Sequence, residues 1–139
     1  MPAYNRFPDT QPPRVSPSTS FLLLHSAEIG DTLVEYSAWQ AGESQDRVRL
    51  VFKRTIAVRH VPEHLSEAAD QADVGELPES HWLRTLHEEQ GRLFPSIPEH
   101  FRSIRHYFVV GHDTFVEVLA EGLLWRLLGA GEALPLATA

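Results

Sequence analysis

The stretch RVRLVFKRTIAVRH, residues 47–60, carries the clearest hydrophobic pattern in the chain. Apolar and basic side chains alternate along it with a period of two, which predicts a strand with one buried face and one open face. The apolar side comprises Val48, Leu50, Phe52, Ile56 and Val58. Arg54 interrupts that side, so we expect a bulge or a bend near the middle of the strand.

A second pattern, HYFVVGHDTFVEVLAE at residues 106–121, predicts a hairpin. Two runs rich in β-formers flank Gly111, His112 and Asp113, a short polar linker with the glycine that hairpin loops favour. Two further strands are predicted over 21–29 and 32–39, with a helix as the alternative for the second. The run after Gly122, LLWRLL, is too short to separate helix from strand.

Helices are expected between these strand blocks. Pro62 followed by Glu63 is typical of a helix start, which predicts a helix over about 62–72. Leu77-Pro78-Glu79 repeats the signal and opens a second helix that ends near Leu93, and Ser96-Ile97-Pro98-Glu99 opens a short third one.

This order of elements predicts an α+β fold. An antiparallel sheet is built from N-terminal and C-terminal strand blocks, and two or three helices pack on one of its faces. We expect a Pro-rich flexible leader at 1–20, one domain at 21–128 and a frayed C-terminal tail at 129–139.

Composition excludes several classes of protein. The 139 residues contain no Cys, which excludes thiol catalysis and Cys-ligated zinc or iron–sulfur centres. The first 20 residues lack the apolar core of a signal peptide, and no run approaches the roughly 18 to 20 apolar residues that span a bilayer. The net charge of −7 disfavours nucleic acid as a partner. A cytoplasmic protein without membrane association is expected.

Eight histidines raise the question of a metal site. The spacing from His60 to His64 is right for two ligands on one helical turn, but Pro62 places His60 outside the helix. His87-Glu88 opens like a metalloprotease motif, yet Gly91 stands where the second histidine belongs. No metal and no cofactor are predicted, and no Ser, His and Asp grouping is selected by position alone.

The predicted hairpin groups His106, His112, Asp113 and Glu117. His106 and Glu117 lie on opposite strands, and a histidine beside a carboxylate can relay protons or supply half of a metal site. These four residues are the candidate catalytic group. In the alternative interpretation His112 and Asp113 are ordinary turn residues and His106 ends a strand.

Charge is unevenly distributed along the chain. From Glu63 to Glu79 there are six acids and neither Lys nor Arg, and from Arg47 to Arg59 there are five bases and no acid. The candidate partner-binding residues are Glu63, Glu67, Asp70, Arg47, Arg49, Lys53 and Arg59. In the alternative interpretation these charges are solvated or pair with one another inside the fold.

The leading hypothesis is a non-catalytic interaction or regulatory protein that binds a protein partner, expected to be basic, through these charged surfaces. An exposed edge strand also predicts a homodimer. One alternative is a metal-dependent or acid–base enzyme centred on the hairpin group. Another is a small-ligand binder that uses Trp39, Trp82 and Trp125.

Overall fold

The computed structural model describes residues 3–15, 22–25, 30–38, 47–62, 65–69, 71, 73–93, 103–111 and 114–129. Within these ranges the chain forms nine strands and one helix. The strands are β1 (Asn5–Phe7), β2 (Leu22–His25), β3 (Thr32–Ser37), β4 (Arg47–Lys53), β5 (Ala57–Pro62), β6 (Val74–Leu77), β7 (Arg105–Val110), β8 (Thr114–Ala120) and β9 (Gly122–Leu128). The helix α1 (His81–Leu93) lies between β6 and β7. No helix in the described part of the chain is long and apolar enough to cross a membrane.

The strands form two antiparallel sheets that pack face to face. The larger sheet has the order β1-β9-β4-β3-β2 and the smaller one β5-β8-β7-β6. Alternating residues of both sheets meet in one apolar core, which includes Val34, Tyr36, Val48, Leu50 and Phe52 from the larger sheet and Tyr107, Val109, Val116, Val118 and Ala120 from the smaller. The architecture is therefore a two-layer β sandwich.

The α+β prediction, with two or three helices on one face of a single sheet, is wrong. The helix predicted at 62–72 is contradicted by the described residues: Pro62 ends strand β5, and residues 65–69 and 71 contain no α-helix. Proline is tolerated there because β5 is an edge strand whose only neighbour is β8. Leu65, the one large apolar side chain of this segment, is exposed, so a helix here would have had little apolar surface to bury.

Other elements are as the pattern predicts. The hairpin at 106–121 forms from β7 and β8, and Val116, Val118 and Ala120 face the core. Helix α1 lies within the second predicted helix. The run after Gly122, for which the pattern left helix and strand open, is strand β9. The third predicted helix lies outside the described residues.

The stretch 47–60 forms two strands in different sheets. Strand β4 belongs to the larger sheet and β5 to the smaller. The chain turns between them at Arg54, whose φ of 49° is in the left-handed region. The bend expected at Arg54 is therefore the point where the chain crosses from one layer of the sandwich to the other.

Part of the segment 1–20 is bonded to both sheets. Strand β1 pairs with β9, and Val15 forms an isolated bridge with Ala38. On the other layer, Gln11 donates a 2.7 Å hydrogen bond to the carbonyl of Val74. Residues 5–15 thus close one side of the sandwich.

Candidate functional site

The outer face of the smaller sheet carries polar side chains that are fully buried. His106 on β7 and Glu117 on β8 have no exposed surface, and they alternate with the core residues on the same strands. Residues 65–69 and the start of α1 supply their polar partners. Burial of these groups is tolerated only because each finds such a partner.

A chain of hydrogen bonds links Ser80, His106 and Glu117. The Ser80 hydroxyl lies 2.5 Å from His106 Nδ1, and His106 Nε2 lies 2.5 Å from Glu117 Oε1. Ser80 is also the N-cap of α1, because its Oγ accepts a 2.9 Å bond from the backbone N–H of Leu83. The start of the helix is thereby fixed over the imidazole.

Arg59 joins this chain to a second carboxylate. Its Nη2 donates to Glu117 Oε1 at 3.0 Å and to Glu67 Oε2 at 3.2 Å. Ser66 donates to the other oxygen of Glu117 at 3.0 Å. Glu67 in turn accepts the backbone N–H groups of His81 and Trp82, at 2.6 and 3.1 Å. An acid at the start of a helix is favoured by the helix dipole, so Glu67 also stabilises α1.

Trp82, on helix α1, covers His106 and Arg59. Its ring meets the His106 ring edge to face at 5.4 Å between centroids, and the Arg59 guanidinium lies 4.1 Å above the Trp82 ring. We refer to Arg59, Ser66, Glu67, Ser80, His106 and Glu117 together as the polar network.

The network holds Glu117 as a carboxylate. Burial by itself would raise the pKa of Glu117, but the hydrogen bonds from His106 and Arg59 and the charge of Arg59 outweigh it and lower the pKa to about 2. Because an ionised carboxylate only accepts, the Nε2 that faces Glu117 carries a proton. His106 Nδ1 then accepts the Ser80 proton when the imidazole is neutral.

Three members of the network offer ligand atoms to a metal ion. One atom each from Glu67, His106 and Glu117 lies within 4.8 Å of the other two. The Arg59 guanidinium already bridges the two carboxylates, and the remaining carboxylate oxygens accept protein donors. A metal here would have to displace Arg59, so the donor set fits a guanidinium better than a cation such as Zn²⁺.

A cleft of about 600 Å³ opens at the end of the sandwich where β8 continues into β9. Its lining combines strand ends of both sheets: Arg6, Phe7, Pro8, Lys53, Glu76, Arg105, Tyr107, Glu121, Gly122, Leu123 and Leu124. Volumes of about 300 to 1,000 Å³ are typical of ligand sites. A Cβ built on Gly122 meets no heavy atom within 4 Å, so open space lies beside this position.

Most charged groups of the cleft already have a partner. Lys53 pairs with Asp31 at 2.5 Å, and Arg105 pairs with Glu76 at 3.1 Å. Arg6 is exposed and has no ion pair within the ranges that the structure describes. Burial raises the pKa of Tyr107 to about 12. The charge of the nearby Glu76 adds to this increase, and the charge of Arg105 opposes it.

The structure brings together half of the predicted catalytic group. His106 and Glu117 are hydrogen-bonded, while His112 and Asp113 lie outside the described residues. Ser80 was missed because its contact with His106 joins residues 26 positions apart. Its sequence signal, a serine after Pro78-Glu79 at a helix start, identifies a cap but not the side chain that it meets.

The predicted partner-binding residues are scattered. Glu67 and Arg59 belong to the polar network, and Lys53 lines the cleft. Arg49 pairs with the buried Glu35 at 2.7 Å, and Arg47 donates to Ser37. The described residues 65–69 and 71 form no α-helix that could present an acidic face, and Glu63 and Asp70 lie outside the described residues.

The tryptophans likewise do not form one platform in the described part of the chain. Trp82 covers the polar network, and Trp125 packs against the core and donates to Thr10 Oγ1 at 3.1 Å. Trp39 is not among the described residues.

No family model, no curated protein and no solved structure matches this chain. The polar network and the cleft are therefore the basis on which a function is proposed.

Proposed function

We propose that the protein is a small interaction protein that binds a short acidic segment of a protein partner in the cleft. The observation that carries the proposal is the combination of an open cleft of about 600 Å³ with an exposed cation, Arg6, on its rim. Phe7, Tyr107 and Leu123 supply apolar surface beside that cation. A carboxylate next to an apolar side chain matches both features.

The charge of the lining favours an anionic ligand over a cationic one. Three bases and two acids line the cleft, which gives it a local charge of +1 within a chain of −7. The two acids are occupied, since Glu76 pairs with Arg105 and Glu121 with Arg54 at 3.4 Å. A basic segment would have to displace these pairs before it could bind.

The charge blocks of the sequence lend less support than the cleft. Arg49, Lys53 and Arg59 each pair with an acid of the same chain. The sequence led us to expect a basic partner for the acidic block. The cleft instead favours an acidic partner, and that is the one we propose. An interaction role remains the better supported function, because every oxygen of the two carboxylates in the polar network already accepts a hydrogen bond from the protein.

The net charge predicts how such a partner would associate. A chain of −7 does not attract an acidic segment over long distances, so the association rate is expected near the unsteered range of about 10⁵ to 10⁶ M⁻¹s⁻¹. Salt should act mainly on dissociation, because the local attraction between Arg6 and a carboxylate is screened in the bound state.

Selection from a random heptapeptide library displayed on phage tests the proposal. We expect enrichment of peptides with Asp or Glu beside a large apolar residue. Affinity is then measured by fluorescence polarisation of one selected peptide. The substitution Gly122→Leu, at a position where a Cβ meets no heavy atom within 4 Å, places a large apolar side chain in the cleft and should abolish binding. Arg6→Gln should weaken binding by about 3- to 10-fold.

Arg84→Gln is the matched control, because Arg84 is an exposed arginine on α1 outside the cleft. It should bind as the original protein does. Selected peptides without acids, or peptides whose affinity is the same in Gly122→Leu, would overturn the proposal.

A further inference from the structure

We infer that Ser80 is a reactive serine whose hydroxyl, activated by His106 and Glu117, accepts an acyl group from an activated ester. This inference goes beyond binding in the cleft and concerns a different site. A nucleophile next to a base, with the base oriented by a third group, is the arrangement that activates serine in proteins.

The geometry supplies each part of that arrangement. Ser80 Oγ and His106 Nδ1 are 2.5 Å apart, which is close enough for direct proton transfer. Glu117 accepts the Nε2 proton of His106, again at 2.5 Å, and so leaves the Nδ1 lone pair facing the serine. The three residues come from the cap of α1, from β7 and from β8, so the fold itself sets their spacing.

Ser80 borders a surface depression through which a small ester would approach. The residue is largely buried, with 8% of its surface exposed, and Pro78, Leu83 and His87 also line the depression. His106 and Glu117 have no solvent contact, so the base and carboxylate of the proton relay are kept away from water.

The chemical step balances within these groups and the ester. Ser80 Oγ bonds to the carbonyl carbon while its proton moves to His106 Nδ1. The bond from that carbon to the leaving oxygen then breaks, and the leaving oxygen takes the proton from Nδ1. The products are an acyl ester on Ser80 and a free alcohol, with His106 back in its starting form.

The site lacks the best donors for the oxyanion that forms in this step. The N–H groups of His81 and Trp82 at the helix start already donate to Glu67, and that of Leu83 donates to Ser80 itself. A positioned general base contributes about 10² to 10⁴ in rate, whereas a missing oxyanion donor costs about 10² to 10³. The missing donor slows acylation and release alike, but acylation expels the good leaving group of an activated ester whereas release must cleave an ordinary alkyl ester. We therefore expect the acyl group to accumulate on Ser80.

The chain contains its own control. Ser66 is also 8% exposed and donates to the same Glu117, but no imidazole of the described residues contacts its hydroxyl. The protein is treated with p-nitrophenyl acetate or with a fluorophosphonate, and labelled peptides are quantified by mass spectrometry. Ser80 should be labelled about 100-fold faster than Ser66, and faster than the exposed Ser103.

The substitution Glu117→Gln removes the acceptor that orients the imidazole, so it should reduce Ser80 labelling by about 10-fold or more while Ser103 labelling stays constant. If this variant does not fold, the ratio of Ser80 to Ser66 in the unchanged protein decides the question. Equal labelling of the two serines, or faster labelling of Ser103, would overturn the inference.

Discussion

Acid should destabilise this protein chiefly through Glu117. The pKa of Glu117 is lowered from 4.5 to about 2, because hydrogen bonds from His106 and Arg59 and the charge of Arg59 outweigh its burial. A carboxylate with a depressed pKa in the folded state contributes stability that is present above the unfolded pKa and is lost as the pH falls towards the folded one. The expected window is therefore about pH 4.5 to 2.

The magnitude follows from the shift. A difference of about 2.5 pKa units corresponds to about 3 kcal/mol, since one unit is 1.36 kcal/mol. Glu117 is fully buried, so solvent screening reduces this value little. For a domain whose total stability is of the order of 5 to 15 kcal/mol, such a loss is readily measured.

Urea unfolding followed by tryptophan fluorescence at pH values from 7 to 2 measures the effect. Glu117→Gln keeps the shape of the side chain but cannot titrate, so we expect its stability at pH 7 to fall by about 3 kcal/mol. Below pH 4.5 its curve should decline less steeply than that of the unchanged protein. Glu76→Gln is the matched control, because the pair with Arg105 is partly exposed and should cost about 0 to 1 kcal/mol.

The reasoning is refuted if the stability of Glu117→Gln runs parallel to that of the unchanged protein across pH 5 to 2. Parallel curves would mean that protons are taken up elsewhere and that the polar network does not hold Glu117 ionised.

Two further predictions concern buried aromatic residues. Burial raises the pKa of Tyr36 far above its usual range and that of Tyr107 to about 12, so absorbance at 295 nm should report neither ionisation below about pH 11.5 in the folded state. Because both values are raised, these two tyrosines should leave the stability unaffected below pH 10 and lower it above that pH; two tyrosines that ionise near pH 10 without unfolding would contradict this. Gly75→Ala places a Cβ 2.7 Å from the buried ring of Phe108, which should cost about 1 to 3 kcal/mol and lower the melting temperature by about 4 to 12 °C. In the control Gly122→Ala the new Cβ meets no atom, so the melting temperature should stay unchanged or rise. Equal melting temperatures of the two variants would show that the Phe108 ring moves freely.

Local patterns predicted most strands correctly but did not predict that the strands form two sheets packed face to face. The hairpin was predicted from a hydrophobic period of two and from a glycine linker. The prediction is confirmed because each of its two strands turns one face to the core. Residues 47–60 show the same period, but period alone does not say that the chain changes sheets at Arg54. The helix expected at 62–72 was wrong because Pro62 was interpreted as a helix start, whereas it ends strand β5, and Leu65, the one large apolar side chain that follows, is exposed.

The candidate site was only half visible in the sequence for a similar reason. His106 and Glu117 meet because a hairpin fixes their spacing, and hairpins can be recognised locally. Ser80 and Arg59 reach them from 26 and 58 positions away, which only the packing of α1 and β5 on the sheet determines. The partners of the charged residues are also set by register and packing. Arg59 of the basic block pairs with Glu67 of the acidic block, but Arg49 pairs with Glu35, and Asp73 and Glu76 pair with Arg14 and Arg105, none of which belongs to the other block.

Mapping of backbone amide shifts by NMR during titration with an acidic peptide from the library tests most directly where a partner binds. The account predicts changes that cluster at Arg6, Tyr107 and Gly122, at the end of the sandwich, and that vanish in Gly122→Leu. Changes confined to α1, or to the outer face of the larger sheet around Arg47 and Arg49, would contradict it.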